Sequence, residues 1–320
     1  MVNQAIFLLT EPLVTRQYNF LNIGKQQAYI DEEASLKAFV KQYNHTDKPL
    51  LQALADMPYV QLHATGKYLA YWQQLDPGLF ARFQDKYQHG NLVLVGSTYH
   101  NSVAALLAPE LFRYELKLYM NLVNKLFGAE PEVYMNVGVA YSNAIAEIVA
   151  EVGYKRVLAL ALPWYANGMP LDSSFRAKDV DIPVLLASYK SEDKASFLLI
   201  DRLADWQQYI GQAQFFNPSV EEYIQPGLNN IYSVPLPIGW FRQLAPAEIT
   251  GSPLQRQLAA TVSELVQHKK MTENLAEQLT MFTHLSLFEK LKVNDNALTP
   301  YECFISYMNM LADFELKHLS

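Results

Sequence analysis

Cysteine is all but missing from this 320-residue chain: Cys303 stands alone, so no internal disulfide framework can form. Histidine is sparse too. None of the 7 has another histidine four residues away, and no Cys/His spacing resembles a structural zinc site. Charged residues make up only 18% of the chain and lean acidic, with 25 Lys+Arg against 32 Asp+Glu and a formal charge of −7. With no basic stripe, the electrostatic footprint of a nucleic-acid binder is missing. Long apolar runs are also lacking. The N-terminal segment has no basic region and only the short run Ala5–Leu9, too brief for a signal peptide or a membrane span. A cytoplasmic protein with no membrane partner is expected. There is no Gly-x-Ser-x-Gly elbow and no phosphate-cradling glycine loop. No cofactor and no metal are expected.

What is abundant is apolar and aromatic. Half of the residues are hydrophobic, and the chain holds 20 Tyr, 16 Phe and 4 Trp. A chain of this length buries roughly 75% of the surface it exposes when unfolded, so its core needs no covalent staple. The aromatics fit either core packing or the lining of a sugar cleft.

Short apolar runs alternate with longer helical patterns. Strands are expected at Ala5–Leu9, Tyr59–His63, Asn91–Ser97, Glu132–Val139, Arg156–Leu162, Pro183–Ser188 with Ser196–Ile200, and Asn230–Leu236. Most are continuous apolar runs, the pattern of parallel strands covered on both faces. Between them, Leu111, Tyr114, Leu118, Leu122 and Leu126 keep helical spacing before Gly128, as do Ile145, Ile148, Val149 and Val152 before Gly153. The alternation predicts an α/β fold with a parallel sheet, closed into a barrel of seven or eight strands.

Near residue 250 the pattern changes. Ser252-Pro253-Leu254-Gln255 reads as a capping box, followed by an apolar face at Leu258, Val262, Leu265 and Val266. A second face runs through Leu275, Leu279 and Phe282. Thr299-Pro300-Tyr301-Glu302 opens a last helix expected to turn Ile305, Met308 and Ala312 inward. The expected division is a barrel domain over 1–250 and a C-terminal helical region over 251–320.

Several segments together resemble glycoside hydrolase family 57, in particular its α-amylase-type members. Tyr18-Asn-Phe-Leu-Asn-Ile-Gly24 and Tyr29-Ile-Asp-Glu-Glu-Ala34 are similar to the family's stretch after its first strand. Gly90-Asn91-Leu92 and Thr98-Tyr99-His100-Asn101-Ser102 resemble its second conserved region. Phe112-Arg113, Leu126-Phe127-Gly128 and Glu130-Pro131 continue the likeness. Met135-Asn136-Val137-Gly138-Val139-Ala140-Tyr141-Ser142 sits on the third, usually Arg-Asn-Thr-Glu-Leu-Ile-Tyr. Pro300-Tyr301-Glu302 and the stretch from Tyr307 to Glu315 resemble the closing helix. The resemblance implies an incomplete (β/α)7 barrel of the glycoside hydrolase/deacetylase type with a C-terminal helical layer.

The family's chemistry does not carry over with it. A retaining glycosidase needs two carboxyls about 5–5.5 Å apart. The family's nucleophile is the Glu of the third region, and the matching residue here is Gly138. Its acid/base opens a Met-Asp-Tyr-Glu-Thr segment, and the stretch in the corresponding place, Gly211-Gln-Ala-Gln-Phe-Phe-Asn-Pro218, has no carboxylate. His-Gln-Pro becomes Thr10-Glu11-Pro12. Both glutamates of the second region give way to Val93 and Ser97, and the fifth region ends Trp240-Phe241-Arg242. Losing a nucleophile alone costs orders of magnitude in rate, so a catalytically inactive homologue is expected.

Other uses of these residues stay open. Glu11 and Asp201 both follow strands and could form a relocated carboxylate pair at the barrel's C-terminal face. His63 and His100, joined by Glu11 or Asp201, could instead approach a metal. Tyr99, His100, Asn136, Tyr141, Trp164 and Trp240 are the ligand-binding candidates, with an α-glucan or maltooligosaccharide as ligand. A structural or regulatory subunit that binds a protein partner is a further reading.

Overall fold

The computed structural model describes residues 4–25, 27–136, 138, 140–163, 166, 168–173, 175–189, 193–200, 251–267, 272–292 and 299–318, together with the backbone of 229–230. Strand β1 (Gln4–Leu9) is followed by helices α1 (Glu32–Gln42) and α2 (Lys48–Ala55), joined through a π-helical turn at Tyr43–Asp47. Strand β2 (Val60–Ala64) leads to α3 (Gly66–Leu75) and α4 (Pro77–Gln88). Strand β3 (Leu92–Val95) leads to the short α5 (Ala104–Leu107) and the long α6 (Pro109–Phe127). Then come β4 (Val133–Met135), α7 (Asn143–Val152), β5 (Arg156–Leu160), β6 (Phe175–Arg176), β7 (Pro183–Ser188), β8 (Phe197–Ile200) and β9 (Asn229–Asn230).

Seven of these strands run parallel in the order β3-β2-β1-β8-β7-β5-β4. Helical crossovers return the chain to the same sheet end from β1 through β5, which is why those pairings are parallel. The two ends of that order meet: Gly96 bridges Tyr134, its N–H donating to the Val133 carbonyl at 2.6 Å and its carbonyl accepting from Met135 N–H at 3.0 Å. The sheet therefore curls into a nearly closed seven-stranded barrel. Glycine is required at the seam, because a Cβ there would lie 2.4 Å from the buried Tyr154 ring.

The expected strands at Ala5–Leu9, Tyr59–His63, Arg156–Leu162 and Pro183–Ser188 fall on β1, β2, β5 and β7 within one or two residues at either end. Ser196–Ile200 is a barrel strand in its own right, β8. Asn230–Leu236 lies almost wholly outside the described residues, and its described start pairs with β6 instead of entering the barrel. The two-residue β6, antiparallel to β7, carried no periodic signal. Gly128 and Gly153 end their helices with left-handed backbones, φ 78° and 111°, as C′ glycines do. The apolar face of α6 is turned by about one residue from the expected one. Phe112, Glu115, Leu116, Tyr119, Met120 and Val123 are buried, while Tyr114, Leu118 and Leu122 are only half-buried.

The C-terminal layer consists of α8 (Pro253–Gln267), α9 (Glu273–Thr280), α10 (Leu285–Glu289) and α11 (Pro300–His318). Both capping boxes form: Gln255 N–H donates to Ser252 Oγ at 3.1 Å while Ser252 N–H donates to Gln255 Oε1 at 2.9 Å, and Thr299 and Glu302 repeat the exchange. The inward face of α11 corrects the expected one. Cys303, Tyr307, Met310, Leu311, Asp313 and Phe314 are buried, whereas Ile305 and Ala312 are exposed and Met308 is half-buried. Asp313 sets that rotation. Its carboxylate accepts from Tyr18 Oη at 2.9 Å, Tyr29 Oη at 2.7 Å and Gly24 N–H at 2.6 Å, and pairs with Lys317 Nζ at 2.6 Å. Turning the apolar Ile305 inward would strand this buried carboxylate without partners.

Candidate functional site

The loops at the C-terminal ends of β1 to β4 bring together Glu11, His63, Thr65, Ser97, Tyr99, His100, Asn101, Asn136 and Gly138. Functional groups gather at this end of a parallel barrel because the chain leaves each strand there into a variable loop.

Glu11 is buried, and its carboxylate is fully engaged. Thr65 Oγ1 donates to Oε2, Asn101 N–H donates to Oε1 at 2.8 Å, and His284 Nε2 stands 3.4 Å from Oε1, an ion-pair distance longer than an ordinary hydrogen bond. The Ser286 N–H donates to His284 Nδ1 at 3.2 Å, capping α10. Burial pushes the Glu11 carboxyl up, but the hydrogen bond and charge of His284, aided by His100 and Thr65, outweigh it and hold the carboxyl below its ordinary range. His284 enters the site on a segment that pairs with the loop after β3, through the Ser102–His284 bridge and the Leu285 N–H to Asn101 carbonyl bond at 2.8 Å. The C-terminal layer thus reaches into the barrel mouth.

A second acid–imidazole pair lies alongside. His100 Nδ1 is 3.1 Å from Glu115 Oε1, and His100 N–H donates to Glu115 Oε2 at 2.8 Å. Burial lowers the His100 imidazole, and the charge and hydrogen bond of Glu115, with Glu11 beyond, more than reverse it, so its pKa is raised. His63 is different. Its Nε2 faces the Met135 carbonyl at 3.2 Å, and burial, against that bond, pulls its pKa down to about 4. The ring is therefore neutral, and with the proton on Nε2 its Nδ1 is a bare acceptor.

Besides His284 Nε2, which stands off Glu11, four buried polar atoms around these strand ends have no hydrogen-bond partner: His63 Nδ1, Ser97 Oγ, Asn101 Oδ1 and Asn136 Nδ2. Buried polar groups are normally satisfied by protein, water or ligand. All four belong to uncharged side chains, which suits a neutral, hydroxyl-bearing ligand better than an ion. Gly138 has φ +64°, in the left-handed region. Glycine adopts it freely and a side-chain-bearing residue at a cost.

Tyr99 and His100 meet ring to ring at the mouth, centroids 4.8 Å apart, and both are half-exposed. Asn136 and Tyr141 are buried, Asn136 accepting from Tyr134 Oη at 2.9 Å. Trp164, Trp240 and Asp201 lie outside the described residues, as does the stretch Gly211–Pro218. Among the described residues, no cluster of three His, Cys, Asp or Glu has the arrangement of a metal site. Nor is any helix among them long and apolar enough to cross a membrane. Sequence reasoning passed over Glu115, Thr65 and His284. A carboxylate recurring with the apolar face of α6, one turn from Phe112 and Tyr119, was the available signal for Glu115. Thr65 and His284 sit in polar breaks that carry no pattern.

The sequence profile of glycosyl hydrolase family 57 matches residues 6–224. A putative alpha-amylase of Methanocaldococcus jannaschii is 23% identical over 189 residues, covering 57% of this chain and 40% of that protein. The match thus spans about two fifths of the length of that relative. Among solved structures, the GH57-type branching enzyme of Pyrococcus horikoshii superposes with a TM-score of 0.63 at 10% identity, over 98% of this chain and 88% of that one. The 4-alpha-glucanotransferase of Thermococcus litoralis gives 0.56 at 13% identity, over 83% of this chain and 44% of that one. An exo-type maltose-forming amylase from Pyrococcus sp. ST04 gives 0.55 at 9% identity, over 98% and 75%. At such identities the superpositions speak for the fold, a barrel with a C-terminal helical layer. The profile spans more than half of the chain, and the chain belongs to glycosyl hydrolase family 57.

Proposed function

We propose that this chain is a catalytically inactive member of its family that binds α-glucan or maltooligosaccharide at the barrel mouth, as a cytoplasmic carbohydrate-binding or interaction protein in α-glucan metabolism. Its two parts would be the barrel over 1–250 and the helical region over 251–320. The observation that carries the reading is Gly138: the position resembling the family's nucleophile holds a residue with no side chain, on a left-handed backbone. The saturated partners of Glu11 support it, since a carboxylate tied to Thr65, Asn101 and His284 is a poor nucleophile. The unpartnered neutral groups match what sugar hydroxyls need, and the similar proteins (an amylase, a branching enzyme, a glucanotransferase) support the choice of an α-glucan.

The alternative, retaining hydrolysis or transglycosylation by Glu11 with Asp201, requires Glu11 to leave its three partners. A protein partner is a further reading, favoured by Phe20 and Leu21, which stand 70% and 61% exposed on a turn after β1. Calorimetric titration with maltooligosaccharides, followed by product analysis of the same mixtures, separates the three. Binding without products supports the proposal. Turnover abolished by Glu11→Gln or Asp201→Asn overturns it, and no sugar binding leaves the protein-partner reading.

A further inference from the structure

We infer that the outer rim of the mouth carries a shallow saccharide platform in which Tyr71 extends the strand-end site outward from Tyr99. The inference rests on the saccharide-binding reading above and deepens it by predicting which length of sugar chain is held.

The platform follows from how α3 meets the loop after β3. The first two N–H groups of α3 are taken by that loop: Gly66 N–H donates to the Thr98 carbonyl at 3.2 Å and Lys67 N–H to the Tyr99 carbonyl at 2.7 Å. A Cβ at Gly66 would lie 2.7 Å from Tyr99 Cδ2 and 3.0 Å from its Cα, so only glycine lets the tyrosine sit this close. One turn further along α3, the Tyr71 ring packs on Phe39, centroids 5.0 Å apart, and its hydroxyl reaches Glu32 at 3.4 Å. Lys67 Nζ stands 5.0 Å from the Tyr71 centroid. Both tyrosines are half-exposed, and Lys67 links them, its backbone N–H on the Tyr99 carbonyl and its Nζ over the Tyr71 ring.

The chemistry selects the ligand. A pyranose presents an apolar C–H face that an aromatic ring can cover, and hydroxyls that both donate and accept. Glu32 offers an acceptor and Lys67 donors at the edge of the rings. A phosphorylated or carboxylated ligand would meet Glu32 and Glu11, and a purely apolar one would leave both charged groups without a gain. An exposed cation–π contact is worth only about 0.5–1 kcal/mol, so Lys67 yields its place readily. Because the rim lies outside the strand ends, a short sugar seated among them does not reach it, whereas a longer chain does.

The test is calorimetric titration of the whole chain and its Tyr71→Ala, Tyr99→Ala and Tyr71→Phe variants with maltose and maltoheptaose. The unsubstituted protein is expected to bind maltoheptaose about tenfold tighter than maltose, the worth of about 1.4 kcal/mol of stacking. Tyr71→Ala is expected to lose that preference to within about twofold while keeping its maltose affinity, Tyr99→Ala to weaken binding of both sugars, and Tyr71→Phe to retain the preference. Since Tyr99 also packs on Gly66, Tyr71→Ala decides the matter where Tyr99→Ala unfolds. Equal affinity for the two sugars, or a preference untouched by Tyr71→Ala, overturns the platform but not the strand-end site. Failure of the unsubstituted protein to bind either sugar overturns both.

Discussion

Replacing Glu11 by alanine would distinguish a clasp from a nucleophile. The substitution leaves Thr65 Oγ1, Asn101 N–H and His284 Nε2 facing a buried hole, each deprived of its shared acceptor. Breaking one side of a buried ion pair costs about 3–5 kcal/mol, and each stranded buried donor about 1–3, with overlap between the two. A loss of about 4 kcal/mol is expected. For a chain of 320 residues the unfolding entropy is about 0.7 kcal/mol/K, so Tm should fall by about 6 °C. Glu11→Gln keeps one acceptor oxygen for Asn101 N–H and turns its amide N–H toward Thr65 Oγ1, which can accept, and should cost only about 1–2 kcal/mol. The pH dependence has a definite sign. The folded carboxyl is held below its ordinary range, so the clasp contributes fully above the unfolded pKa and is lost as pH falls through the folded one. Urea unfolding at pH 7 and in acid, on all three proteins, reads both effects. A Glu11→Ala protein of unchanged stability, with the wild-type and alanine curves parallel down to acid pH, would refute the clasp and return Glu11 to the list of free carboxylates.

Asp47 offers the opposite sign. Burial, opposed by hydrogen bonds from Tyr68 and Gln42, pushes its carboxyl from 3.8 to about 6, so ionising it costs about 3 kcal/mol at neutral pH and nothing below pH 3. Asp47→Asn should therefore raise the urea midpoint at pH 8 and leave it unchanged at pH 3. Gly138→Glu should yield no glucan hydrolysis and lower stability by about 1–2 kcal/mol because of the left-handed backbone, with Gly138→Asn closer to neutral; a reducing-sugar assay and thermal melts check both. Gly96→Ala drives a methyl into Tyr154 at the barrel seam and should cost about 1–3 kcal/mol or more, read as a lower Tm.

The barrel was legible because its signals are local. Continuous apolar runs mark β1, β5 and β7, an alternating run broken by Gln61 and His63 marks β2, and Gly128 and Gly153 mark helix ends through a backbone requirement that one residue meets cheaply. The inward face of α11 was not. Ile305, Met308 and Ala312 keep helical spacing, but a buried Asp313 answering Tyr18 and Tyr29 overrides that pattern, and such a partner is invisible to periodicity. The same holds at the site. The strand ends placed Glu11, Tyr99 and His100 at the mouth, since strand position alone decides that. What Glu11 does there depends on His284, which lies far along the chain in a segment with no pattern of its own. Long-range pairing between polar side chains is what a single sequence withholds.

The ties between the chain's two extremities bear on how the protein comes to be folded during synthesis. Tyr18 N–H donates to Ser306 Oγ at 2.8 Å, Asn309 Nδ2 reaches the Tyr18 carbonyl at 3.3 Å, and Asp313 gathers Tyr18, Gly24 and Tyr29. The loop after β1 thus waits for α11 before Tyr29 Oη and Gly24 N–H find their acceptor in Asp313. Closing so long a loop is entropically costly and slows the search, while the unsealed barrel remains exposed to premature association. A nascent chain arrested before α11 should be protease-sensitive around residues 13–30, and should gain protection there only once α11 is released.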